Sequence, residues 1–121
     1  MKRKNNILFN IGLEGNPRST MEILDGLKYI FGGVDHFAEV LGQWDGKPEK
    51  TLVALVPTSF KLSTIVLNIE NLCLAMDQDA IAARIWEDNY QRNIDLLVYS
   101  PSYNGKRYNF DKNHFKLLPI N

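Results

Sequence analysis

The segment Trp86-Glu87-Asp88-Asn89-Tyr90-Gln91-Arg92-Asn93 packs two aromatics, two carboxylates, a guanidinium and three amides into eight residues. Trp, Tyr and Arg combine large contact area with directional hydrogen bonding, so such a loop suits recognition of a partner protein. Trp86, Tyr90 and Arg92 are the residues expected to carry it, close together and with at least one aromatic exposed. The competing reading is a long hairpin loop whose Trp86 packs on a sheet. A second aromatic and basic cluster, Tyr99, Tyr103, Lys106, Arg107 and Tyr108, has the make-up to stack a base and hold a phosphate. Arg92, Tyr103, Lys106 and Arg107 therefore form an alternative, ligand-binding set. The same tyrosines also suit a plain hairpin with solvated basic neighbours.

Other chemistry is thinner. Asp77 and Asp79 stand two residues apart after an apolar helix and could share a divalent cation, given further oxygen ligands. They read equally as turn-forming aspartates at a helix end, where the dipole disfavours them and something must hold them. Asp35-His36 sets a carboxylate beside an imidazole, the make-up of a general base, but neighbours on a strand point to opposite faces. His114 reads as a solvated loop histidine. Cys73 falls on the buried stripe of a helix, as a small core residue would. No catalytic triad, phosphate-binding loop, dinucleotide fingerprint or zinc-ligand spacing occurs, so no catalytic residue and no cofactor is expected.

These residues need elements to hold them. Residues 7–13 read as a first strand, with Leu8, Asn10 and Gly12 on one face and Ile7, Phe9, Ile11 and Leu13 on the other. Ser19 followed by Glu22 forms a capping box, so a helix begins near Thr20, and Gly32-Gly33 ends it. His36 to Trp44 reads as a second strand. Asp45-Gly46 signals a hairpin, with Lys47-Pro48 widening the loop. Thr51 to Val56 is apolar on both faces, which predicts a central strand covered on both sides and buried more than any other.

A second helix carries Leu62, Ile65, Val66, Ile69, Leu72, Cys73 and Met76 at helical spacing and ends near Asp77-Gln78. Its Leu67 and Leu74 fall near 140° and 120° on the helical wheel, outside that stripe. Either the apolar tail of Phe115, Leu117 and Leu118 folds over them, the preferred reading, or they face a partner or a second subunit. Ala80 to Glu87 and Ile94 to Tyr99 read as further strands, with Ser100-Pro101 breaking the last. The order β-α-β-β-α-β, then an added strand, predicts an α+β, ferredoxin-like fold with two helices on one face of an antiparallel sheet.

The 121 residues suit one domain spanning 1–121, and fourteen Lys+Arg balance fourteen Asp+Glu. Zero net charge disfavours a protein that coats nucleic acid, although Lys2, Arg3, Lys4, Lys106 and Arg107 could contact phosphates. An RNA-recognition module needs aromatics and a glycine on its third strand, and Thr51 to Val56 has neither. A single cysteine, no signal-peptide pattern and no apolar run of membrane-spanning length lead to a cytosolic expectation.

Three segments together carry a resemblance: Glu49-Lys50-Thr51-Leu52-Val53, Gln78-Asp79-Ala80-Ile81-Ala82, and Asn109-Phe110-Asp111 running to Phe115. The pattern resembles small, largely uncharacterised proteins carried by bacteriophages and mobile elements. It spans the second half of the chain and brings no catalytic residues with it. The resemblance implies a bacterial accessory role, against a host defence or in control of the element. Together these readings lead to a non-enzymatic, protein-binding accessory module. The alternative is a small nucleotide or metabolite binder, with metal-assisted hydrolysis.

Overall fold

The computed structural model describes residues 5–44 and 46–102. Five strands and two helices follow in the order β1 (Asn5–Gly12), α1 (Thr20–Phe31), β2 (His36–Trp44), β3 (Lys47–Thr58), α2 (Leu62–Ala75), β4 (Ala80–Glu87) and β5 (Arg92–Tyr99). The strands form a single sheet in the order β2-β3-β1-β4-β5, every neighbouring pair antiparallel. This is the expected ferredoxin-like arrangement, with β5 added beside β4. Each helix links two parallel, non-adjacent strands, and both helices cover one face.

Local chemistry sets the helix ends. The Ser19 side chain accepts from the Glu22 N–H, and the Glu22 carboxylate accepts from the Ser19 N–H, which closes the capping box. Those bonds hold the Glu22 carboxyl below its ordinary value. Gly32 ends α1 in the left-handed region at φ 97°, where a Cβ would be strained. Trp44 pairs with Lys47, so the β2–β3 loop contains two residues and Lys47-Pro48 belongs to the strand rather than to a wide loop. Pro48 is tolerated there because β1 reaches only to Thr51 of β3.

The core lies between the helices and one face of the sheet. Ile7, Phe9 and Ile11 of β1, Leu52, Ala54 and Val56 of β3, and Ile81, Ala83 and Ile85 of β4 are all at most 1% exposed. Leu24, Leu27 and Phe31 of α1 and Ile65, Ile69 and Cys73 of α2 close over them. The Phe31 ring sits 5.6 Å from Phe9 and 5.9 Å from Phe60, tilted to both.

Two expectations about β3 need correction. It is an interior strand, but β1 is buried as deeply, and Val53 and Leu55 are only half-buried. Both helices occupy one side of the sheet, so among the described residues an apolar residue on the other side has no helix above it. That second, helix-free face is built from Leu8, Asn10 and Gly12 of β1 and their neighbours across the strands. β5 begins at Arg92, two residues earlier than the hydrophobic pattern suggests, and α2 ends at Ala75.

Candidate functional site

Alternation divides the Trp86 to Asn93 segment between two faces. Trp86 lies half-buried on the helix-free face, opposite Asn6 and Asn93. Glu87, one residue on, turns to the helix side and is 2% exposed. Arg92 pairs with it across the β4–β5 hairpin, its Nε donating to Glu87 Oε1 at 2.6 Å. The same guanidinium lies 5.0 Å from the centroid of the Tyr90 ring, and Tyr90 is 56% exposed. The structure thus brings Tyr90 and Arg92 together, with one aromatic exposed, and leaves Trp86 on the opposite face. Arg92 is occupied in neutralising a buried carboxylate. Tyr103, Lys106 and Arg107 of the alternative ligand set lie outside the described residues, as do His114 and the tail expected over Leu67 and Leu74. Those two leucines are half exposed.

Asp77 has a structural explanation. Its N–H donates to Leu74 O and the Gln78 N–H donates to Cys73 O, the two bonds of a Schellman helix ending. Asp77 sits at the left-handed position of that motif, with φ 52°. Asp79 is exposed and offers its carbonyl to the Ser100 N–H at 2.7 Å. Among the described residues no three His, Cys, Asp or Glu side chains gather as a metal would need. Asp77→Gly is therefore expected to stabilise the fold by about 1 kcal/mol, since glycine adopts this conformation without strain and removes an anion from a helix C-terminus. Urea unfolding measures it. A loss of stability would give the Asp77 side chain a role beyond the cap.

Asp35 and His36 are both exposed, His36 at the start of β2 beside Leu55. Cys73 is fully buried, with its thiol 3.6 Å from Val98 O. Burial, then the nearby Glu70 carboxylate, pushes this thiol up to about 12, so it is a core residue and not a nucleophile.

The helix-free face carries a group of residues that motif reading does not single out. Asn10 lies between Val53 and Ala82, with Leu97 beyond Ala82. Two residues along β1, Gly12 lies beside Thr51, which in turn neighbours Val40 of edge strand β2. Glu49, diagonal to Gly12, lays its carboxylate over the glycine, so that a Cβ at position 12 would overlap it. A Cβ on Gly42 would likewise overlap the Thr51 hydroxyl. That hydroxyl donates to the Glu49 carbonyl at 2.9 Å. Partial burial and the neighbouring Glu14 carboxylate push the Glu49 carboxyl above its ordinary value. Toward the other end of the face, Arg84 and Asp95 form a two-bond ion pair at 2.6 and 3.3 Å, which holds the guanidinium above its ordinary value. The result is an apolar floor with small residues, an amide at its centre and a carboxylate at one end. The alternation of β1 hinted at it, because Asn10 and Gly12 are unusual on a central strand. Glu49 could be found only from the strand register.

No family model matches the sequence, and no curated protein matches it. Among the described residues, no helix is long and apolar enough to cross a membrane. The expectation of a non-enzymatic protein-binding module is overturned. The finding against it is that a chain of similar fold is an enzyme. That chain is a phage SAM lyase solved in complex with S-methyl-5'-thioadenosine; the likeness has a TM-score of 0.52 and 10% sequence identity, over 84% of this chain and 93% of that one.

Proposed function

We propose that this protein binds a small adenosine-containing metabolite of the S-adenosylmethionine class on the helix-free face of its sheet, in the service of a phage or mobile element. The observation that carries this reading is the likeness in fold to the phage SAM lyase, which extends over 93% of that chain. The chemistry of the face supports it. A purine is flat and apolar on its faces and polar at its edge. Ala82, Val53 and Leu97 supply an apolar surface at the middle of the sheet, and the Asn10 carboxamide lies among them. An asparagine amide can pair with the N6 and N7 edge of adenine through two hydrogen bonds. Zero net charge fits a small ligand better than a polyanion.

Titration calorimetry of the full chain with S-methyl-5'-thioadenosine tests the binding. A dissociation constant of about 10–100 µM is expected for a shallow site of this kind, with Asn10→Ala weakening it about tenfold, the loss of roughly 1.4 kcal/mol of paired hydrogen bonding. Incubation with S-adenosylmethionine, followed by chromatography for released S-methyl-5'-thioadenosine, tests for lyase activity. Absence of binding at millimolar ligand would refute the proposal.

A further inference from the structure

Resting on the adenosine-ligand reading, we propose that Glu49 selects ligands carrying a positive charge beside the adenosine, as a sulfonium does, over neutral thioethers. The carboxylate is seated by the fold. Gly12 leaves open the space that the Glu49 carboxylate fills, and Gly42 does the same for Thr51, whose hydroxyl ties down the Glu49 backbone. Of the described cations near Glu49 on β3, Lys50 points to the other face, where it lies 4.0 Å from Glu39, and Lys47 shares the face of Glu49 without pairing with it. At the far end of the face, Arg84 is held by Asp95. Among the described residues the Glu49 carboxylate forms neither a hydrogen bond nor an ion pair.

An anion held partly out of water beside the Glu14 carboxylate has no cation bonded to it among the described residues, and a cationic ligand would supply one. Asn10 and Gly12 lie on the same face of β1, two residues or about 7 Å apart. An adenine paired to Asn10 with its ribose end toward Gly12 would bring the group attached to the ribose beside Glu49.

The test compares S-methyl-5'-thioadenosine with its S-methylated sulfonium, which differs from it by one methyl group and one charge. Calorimetry on the full chain is expected to show the sulfonium binding about tenfold tighter, in the range of a charge-assisted contact. Glu49→Gln should abolish that preference and leave the thioether affinity within about twofold. Gly12→Ala should do the same by displacing the carboxylate. The displaced atoms are the far end of a flexible side chain, and a circular-dichroism melt verifies that this variant folds. A preference that survives Glu49→Gln, or its absence in the wild-type chain, overturns the role of Glu49 while leaving the adenosine reading intact. Binding of neither compound by the wild-type chain overturns the reading itself and this proposal with it.

Discussion

Phe9→Ala is expected to cost about 4 kcal/mol, because it removes a fully buried aromatic from the central strand and leaves a cavity against Phe31. A domain of this size is stable by roughly 5–15 kcal/mol in total, so this single change removes a large share. The neighbouring Leu8→Ala provides the control. Leu8 lies on the same strand but on the helix-free face and is half-buried. Its loss should cost about 1 kcal/mol, little more than the transfer of the atoms that are covered. Urea unfolding of both variants measures the contrast. Equal costs would mean that the two faces of β1 are buried alike in solution, against the one-sided helix packing. The contrast also bears on function, since a face that can be altered cheaply is one that can carry a ligand site.

Arg92→Ala is expected to cost about 2–3 kcal/mol. The Glu87 side chain is 3% exposed, and its ion pair with Arg92 offsets the cost of its burial. The Arg92 side chain is itself 57% exposed, so solvent screening keeps the loss at the lower end of that for a buried pair. Adding Glu87→Gln to Arg92→Ala should recover most of the stability, because the orphaned charge is then gone. Tyr90→Ala takes away the 56% exposed ring beneath the guanidinium and should cost about 1 kcal/mol. An Arg92→Ala variant as stable as the wild type would return this arginine to the pool of groups available to a ligand. In the structure its Nε is bound to the buried Glu87 carboxylate.

The sequence alone determined the helix caps and the strand alternation, which depend on near neighbours, but not the strand ends at Lys47 and Arg92. Ser19 and Glu22 meet within one helical turn, so their capping box was legible before any tertiary contact was known. Gly32 stops α1 and Asp45-Gly46 turns the chain through local backbone sterics, and the two-residue alternation of β1 follows from the geometry of any strand. The ferredoxin-like order followed from these elements together with the handedness of crossovers. What covers a face is a different matter. Val53 and Leu55 read as core because they are apolar, yet only the packing of both helices on the opposite side decided that they are not. Trp86, Tyr90 and Arg92 read as one loop, while strand pairing bound Arg92 to Glu87 and sent Trp86 to the other face. Asp77 looked like half of a cation site until the bonds of the α2 ending accounted for it. The seating of Glu49 on Gly12 could not be read from motifs at all. It joins residues distant along the chain through the β1–β3 register, and register is set by which faces the whole sheet buries, not by the residues that end up touching.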